Sequence, residues 1–484
     1  MKKASIKTNT LYSTIKSVAS IVFPLISFPY ASRVLLPEGI GKVNFAHSIV
    51  NYFSLLASLG LTTYAIRECS RVREDRNKLG QVASELMSLN IVTTLVSYGL
   101  LALTLLFARP LDNYRELIVL QSTAIAFTTL GADWLNSAME DFKLITLRTV
   151  GFQLLSLLVM LLFVRSPDDY MIYAMTMVIS ASGAALVNIF YRRRFCRVRF
   201  TWRIPFGRHL PPVLLLFAMQ LSQVIFTNAD VTMLGLIHGD REVGLYNAAI
   251  KIYNIVSQLV SSILWVVMPR LSLYYAQQDY SKINPLLRKV LGFSLGLGLP
   301  CIAGMNMLAP EILQIIGGPE YTSAAPALQL LTVSLLFSFI GGSFLGNVIM
   351  LPSQREKYFF FACCTAAVVN VALNALLIPS LNIYGAAIAT GVSAFVIFIM
   401  LLPKVEKEIR LGNLFTLAGP PVLGCAGIVG VCLLAKLFFA NLWLRTVVAM
   451  GASVLVYGLT LLCCRYELVT PVLSAVKKKL FKRG

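Results

Sequence analysis

Apolar stretches long enough to cross a bilayer recur from one end of this 484-residue chain to the other, and they leave little choice of fold. Hydrocarbon offers no partner to an open backbone N–H or C=O, so a spanning segment must be a helix or part of a closed barrel. Runs of about 20 apolar residues select the helix. A window of ~19 residues places the first six spans at roughly 12–35, 40–64, 82–107, 114–137, 144–164 and 169–190. The next eight fall at roughly 211–237, 243–268, 286–309, 323–350, 357–378, 383–402, 414–438 and 443–464. With 57% hydrophobic and 13% charged residues, a soluble globular protein is excluded. The expected fold is an all-α integral membrane protein of about 14 transmembrane helices joined by short loops, none large enough to be a separate domain.

Lys and Arg set the orientation. With the N-terminus in the cytoplasm, about 32 of the 42 basic residues fall on cytoplasmic segments and about 6 outside. The heaviest cluster is Arg192, Arg193, Arg194, Arg197, Arg199, Arg203 and Arg208, between spans six and seven. The positive-inside rule accounts for it and for the net charge of +20, with attraction to anionic lipid headgroups adding to the effect, so no nucleic-acid partner is expected. The basic start, Met1–Lys16, leads into a span too long for a signal peptide and reads as a retained helix. The nine cysteines are scattered without metal-ligand or disulfide-framework spacing, so neither a metal nor a cofactor is expected.

One pattern occurs twice, 203 positions apart: Gly41, Asn44, Ala46, Ile49, Asn51, Ser54, Leu56 and Arg67, then Gly244, Asn247, Ala249, Ile252, Asn254, Ser257, Leu259 and Arg270. Each copy opens a long apolar helix, spans two and eight. An even number of spans separates them, so both copies cross in the same direction, as in a parallel repeat whose substrate site lies between the halves. The domain reading is an N-lobe of spans one to six (1–190), a basic cytoplasmic linker (191–210) and a C-lobe of spans seven to twelve (211–402). Residues 403–484 add two extra C-terminal helices and a basic cytoplasmic tail. Gly292, Gly296 and Gly298 in span nine, and Gly341, Gly342 and Gly346 in span ten, invite close approach of neighbours, while Pro24, Pro29 and Pro300 are expected to bend their spans.

Ionisable groups inside spans are costly and therefore informative. Lys16 and Arg33 lie in span one, Lys42 and His47 in span two, Asp230 in span seven and Lys251 in span eight. Lys251 is about eight residues, or ~12 Å, into its helix. Lys16, Arg33 and Lys42 are close enough to span ends to reach headgroups. His47 serves either a cavity or a hydrogen-bonded core. Asp230 serves as counter-ion to Lys251 or as a separate cation site. Arg33, Lys42, His47 and Lys251 together predict a cationic cavity suited to an anionic or diphosphate-bearing substrate, since ammonium and guanidinium groups bind phosphate oxygens strongly when water is excluded.

At this point the chain resembles the polysaccharide flippases of the multidrug/oligosaccharidyl-lipid/polysaccharide exporter superfamily. The resemblance is carried by residues 32–68 (SRVLLPEGIGKVNFAHS onward), 131–148 (GADWLNSAMEDFKLITLR), 228–272 (NADVTMLGLIHGDREVG onward) and 351–390. The first and third are specific for the O-antigen and capsule repeat-unit branch. The resemblance implies two lobes around a central cavity, working by alternating access in the bacterial plasma (inner) membrane, with both termini cytoplasmic. It implies undecaprenyl-diphosphate-linked oligosaccharide as cargo, with membrane lipids and the polysaccharide assembly machinery as partners. Related lipid II flippases use basic residues of the first, second and eighth helices for the diphosphate, and Arg33, Lys42 and Lys251 occupy comparable helices. Asp133, Trp134 and Glu140 resemble a family signature, either a structural latch or a substrate contact.

A drug–cation antiporter of the same fold is the nearest alternative, although it would favour buried carboxylates without accompanying bases. A polytopic glycosyltransferase or polymerase would need a sizeable loop bearing acids. Asp168 and Asp169 lie in a short turn, and no phosphate-cradling glycine loop or nucleophile elbow is present, so no enzyme activity is expected.

Overall fold

The computed structural model describes residues 6–202 and 204–467; Lys2, Lys3, Arg203 and the basic tail after Glu467 lie outside them. Fifteen α-helices follow one another: Ile6–Ser58 (α1), Leu61–Arg71 (α2), Arg76–Phe107 (α3), Arg115–Gly131 (α4), Asp133–Ala138 (α5), Phe142–Phe163 (α6), Tyr170–Tyr191 (α7) and Phe206–Ile237 (α8). Then come Asp240–Ala276 (α9), Tyr280–Met307 (α10), Ala309–Gly317 (α11), Ala325–Phe337 (α12), Glu356–Leu401 (α13), Leu414–Phe438 (α14) and Leu442–Cys463 (α15). Ten helical stretches among the described residues are long and apolar enough to cross a membrane, so the chain is an all-helical, multi-pass membrane protein.

Two of the longest helices are each interrupted once. In α1 the backbone leaves the helix at Leu36 (φ 59°, ψ 175°), and Pro37 follows. A residue before proline is pushed out of the α region, and this one lands in left-handed territory that costs a branched side chain energy. The dihedrals stay helical through Pro24 and Pro29. The second interruption is at Asn382 in α13 (φ 53°, ψ −132°), three residues after Pro379. Helix α12 runs on as a π-helix over Ser338–Met350. There Gly341 lets the backbone of Phe398 approach: a Cβ at Gly341 would lie 2.8 Å from the Phe398 Cα. Gly342 has open space around it and plays no such part.

The chain forms two compact units, Met1–Gly244 and Leu245–Gly484. In the first, α8 runs antiparallel along α1 and α2 in one continuous seam. A Cβ at Gly41 would fall within 1.7 Å of the Asp240 carbonyl oxygen, and one at Gly244 within 1.9 Å of the Pro37 carbonyl oxygen. Each repeat-opening glycine is thus what lets a backbone pass. Further along, the Phe45 ring packs on Gly235, Ser48 meets Thr232 at 3.0 Å and Asn51 donates to Asn228 at 3.1 Å. Gly60, at φ 70°, lies against Leu216, and Tyr64 reaches His209. The other neighbours bond α1 through its carbonyls: Gln121 Nε2 to Val43, Ser97 to Phe53 and Thr93 to Ala57, at 3.1, 2.6 and 2.6 Å. In hydrocarbon such bonds between helices are the main directional glue.

The seam ends in a buried polar clamp. Tyr64 Oη and His209 Nδ1 are 2.9 Å apart, His209 Nε2 and Glu85 Oε2 are 3.1 Å apart, and Gln81 donates to the other Glu85 oxygen at 3.0 Å. His209 is fully buried, so this network joins α2, α3 and α8 without help from bulk water.

In the second unit, Tyr253 bonds Ser338 at 2.9 Å and Ser261 bonds Ser343 at 3.2 Å, fixing α9 to the π-helix. The last two helices are tied to α10: Tyr457 and Tyr466 donate to the carbonyls of Gly296 and Gly292 at 2.6 and 2.8 Å. Arg288 anchors the same region, donating to Glu467 at 2.7 Å, to Thr416 at 2.8 Å and to the Leu411 carbonyl at 2.6 Å. Outside the spans, this contact holds the Glu467 carboxyl below its usual range.

The seam makes two expectations measurable by thermal melting of the purified protein. Gly41→Val must drive backbones apart and is expected to cost about 3 kcal/mol or more, whereas Gly99→Ala, with nothing within 4 Å of the new methyl, should be neutral; equal midpoints for both would disprove the tight crossing. His209→Ala strands a buried carboxylate and a phenol and should cost about 2–4 kcal/mol, and a midpoint equal to wild type would show that the clamp contributes nothing.

Candidate functional site

The second half of α1 presents a polar stripe to α8. Asn44, His47, Ser48, Asn51 and Tyr52 recur at three- and four-residue spacing and so share one face. Opposite them on α8 are Asn228 and Thr232; Tyr52 Oη lies 3.3 Å from Thr232 Oγ1. Asp230 is buried on the same stretch of α8. His47 is half-buried within the stripe. A bare apolar helix would need none of these groups, so the stripe marks where the membrane interior is made polar.

At the end of α1 toward Pro37, Lys42 is engaged rather than open. Its Nζ lies 3.2 Å from the Tyr170 hydroxyl and 4.3 Å from the centre of the same ring. Beside it Tyr114 donates to Asp240 Oδ1 at 2.7 Å, and the Tyr114 ring packs edge-on against Phe45. Burial raises the Asp240 carboxyl above its ordinary range, against the lowering effect of the Tyr114 bond and of Lys42. Arg33 is exposed on α1, on the side away from buried Ala31, Ser32 and Leu35.

In the second unit, Lys251 sits on α9 one turn beyond buried Asn247, with Asn254 almost one turn further on the same face. The 203-residue offset pairs Asn44 with Asn247, Ser48 with Lys251 and Asn51 with Asn254. Both copies of the repeat therefore carry the same polar stripe, and the second has replaced a hydroxyl with an ammonium group.

The Asp133–Glu140 segment folds as a compact corner. Ala132 (φ 51°) and Glu140 (φ 59°) both sit in left-handed backbone, bracketing the short α5. Asp133 Oδ1 lies 2.7 Å from Nη2 of Arg148, whose side chain is only 4% exposed, too poorly aligned for a hydrogen bond but close enough for a strong charge contact. Trp134 is buried in a cluster with Leu79, Leu86 and Phe195. Glu140 pairs with Arg73 at 2.5 Å. Asp133 and Trp134 also border a cavity of about 140 Å³ with Ser54, Ser58, Asn90 and Thr129. Removing Asp133 would leave a buried guanidinium unbalanced, a large cost in any protein.

Sequence reasoning overlooked Arg148 and Arg73 as partners of the motif, Asn228 and Thr232 as partners of the stripe, and the His209 clamp. The first two could have been sought as bases for the two carboxylates of the motif; His209 gave no signal beyond being one of three histidines. No group of three His, Cys, Asp or Glu suited to a metal occurs among the described residues.

Residues 6–274 match the model of the polysaccharide biosynthesis protein family, and residues 216–376 match that of the MatE family. A Shigella dysenteriae protein named as a candidate O-antigen transporter is 23% identical over 409 residues, which cover 83% of this chain and 100% of that one. Among solved structures, the lipid II flippase MurJ in an inward closed conformation superposes with a TM-score of 0.74 at 14% identity, covering 95% of this chain and 100% of that one. An inward-facing multidrug resistance transporter of the MATE family gives a TM-score of 0.61 at 15% identity, covering 83% and 98%. At such identities these likenesses establish the fold alone. The family match takes in more than half of the length, and the chain therefore belongs to the polysaccharide biosynthesis protein family.

Proposed function

We propose that this transporter moves undecaprenyl-diphosphate-linked oligosaccharide repeat units outward across a bacterial plasma membrane by alternating access, for O-antigen or capsule assembly. The chain would cross fourteen times with both termini in the cytoplasm, as two pseudo-symmetric lobes (1–190 and 211–402) joined by the basic linker 191–210. Residues 403–484 would add the two remaining helices and the tail. The observation that carries this reading is the polar stripe repeated in α1 and α9, with Lys251 about 16 Å into α9, where a cation needs a reason to be. Full-length likeness to a protein named for O-antigen transport supports the cargo class.

In this reading Arg33, Lys42, His47 and Lys251 meet the diphosphate during its passage, and Asp230 is a counter-ion or a coupling site for a cation. Lys42 would release Tyr170 when it takes up phosphate. Asp133, Trp134 and Glu140 act as a structural latch, a role their ion pairs with Arg148 and Arg73 favour.

The physics supplies a driving force. Two negative charges leaving a negative cytoplasm gain about 2.3 kcal/mol each per 100 mV. Export can therefore be biased by the membrane potential while the lipid tail stays in the bilayer.

Two outcomes test this. In a strain lacking its repeat-unit flippase, the wild-type chain should restore surface glycan and Lys251→Ala should abolish rescue while inserting normally; full rescue by Lys251→Ala would remove the diphosphate role. In vesicles, collapsing the membrane potential at constant ion gradients should slow net outward flipping at least several-fold, and an unchanged rate would rule out electrically driven export.

A further inference from the structure

The positive-inside rule explains how many arginines lie between α7 and α8, but not how they are arranged. Residues 196–201 run without helix along the start of α3. Arg199 N donates to Ser84 Oγ at 3.0 Å and Thr201 N to Ser88 Oγ at 2.8 Å. Both serines are held in turn, donating to the carbonyls of Gly80 and Ser84. Arg76 bonds the Arg194 carbonyl at 3.3 Å, while Phe195 and Cys196 are buried in the core beside Leu79, Val82 and Ala83. The segment passes close by Gly80, where an added Cβ would make ordinary van der Waals contact with the Arg197 carbonyl at 3.5 Å.

This docking stands three guanidinium groups around one open cleft of about 580 Å³, lined by Arg76, Asn77, Gln81, Ser84, Arg197 and Arg199. No carboxylate lines it. Two acids of the same stretch are committed elsewhere: Asp75 accepts the backbone N–H groups of Lys78 and Asn77 at the start of α3, which holds its carboxyl below the usual range, and Glu85 is taken by His209 and Gln81. Among the described residues, no carboxylate pairs with Arg76, Arg197 or Arg199. The same segment continues into Phe200 and Trp202, stacked edge to face at 4.9 Å and exposed by 44% and 84%. Arg76 precedes the predicted third span by about six residues, or ~9 Å of helix. Amphipathic aromatic rings next to a basic cleft at that depth belong at the headgroup layer.

We propose that the Arg76–Arg197–Arg199 cleft is a binding site for a phosphate group carrying two or more negative charges, a terminal phosphate or diphosphate borne by a lipid of the adjacent leaflet. Three guanidinium groups lining one cleft match such an anion by charge and by their forked donor geometry. A phosphodiester headgroup, with one charge, would leave two of them unmatched. The site is separate from the polar stripes of α1 and α9. It relies on the proposed topology only in naming the leaflet as cytoplasmic, and binding can be read without transport.

The test uses full-length protein in nanodiscs of zwitterionic lipid, with bound lipid counted by native mass spectrometry. Phosphatidic acid should be retained at least about tenfold more tightly than phosphatidylglycerol. Arg197→Ala combined with Arg199→Ala should lose about tenfold or more of that binding with an unchanged melting midpoint, and the corresponding double lysine variant should lose about threefold, since charge remains without the fork. Displacement of the lipid by pyrophosphate would support the site, and pyrophosphate binding in lipid-free detergent would support it with a soluble anion as the source. Equal retention of the two lipids, or full retention by the double alanine variant, would overturn it and leave only diffuse surface attraction. Because the readout is equilibrium binding, its failure would leave the glycan-transport reading standing, and failed rescue by the wild-type chain would leave this site standing.

Discussion

The absence of two side chains, at Gly41 and Gly244, fixes how the first unit is built. Each glycine lies where another residue's methyl group would overlap a carbonyl, of Asp240 in one case and Pro37 in the other. Once that crossing is set, the register of α8 on α1 is set with it. Phe45 must lie on Gly235, Ser48 opposite Thr232, Asn51 opposite Asn228, and Tyr64 at His209. A slip by one residue would swing every polar partner about 100° around its helix and leave it in hydrocarbon. The tight contact at one end therefore determines the polar pairing along the whole seam.

The same contacts hold α8 within the first compact unit. Chain order and apolar periodicity say which segments are helices and in which direction they run. They say little about which neighbour a helix prefers, because lipid tails are as apolar as leucine and give helices no hydrophobic reason to choose. The choice is made by small residues that permit contact and by polar atoms that must find one another. Those signals are single positions scattered over more than a hundred residues of sequence.

The same division governs what could be read in advance. The interruption between spans one and two is visible from Pro37, and the structure breaks the helix at the residue before it. The interruption between spans eleven and twelve is visible as a dip in hydropathy beside Pro379, and falls at Asn382. The doubled pattern was legible because identical spacing survives without any knowledge of contacts; its meaning at Gly41 and Gly244 was not, since a glycine with a crowded side and one with open space look alike in a string of letters. The pairing of Asp133 with Arg148 was hidden for a different reason. A carboxylate declares that it needs a base, and the sequence offers 42 candidates.

The distribution of positive charge fits a carrier better than a receptor. Where these chains bind phosphate for long periods, a tight fork of guanidinium groups is the efficient device. The groups proposed here for the moving diphosphate are different in kind: two lysines, one histidine and one exposed arginine, three of them on α1 and Lys251 on α9. Lysine makes a compact, strongly hydrated charge that does not fix the orientation of its partner, and Lys42 already has an alternative partner in Tyr170. Each contact can be exchanged for another at little net cost. A cargo that must arrive on one side and leave on the other requires that property, since binding energy gained in a single deep well would have to be returned before release.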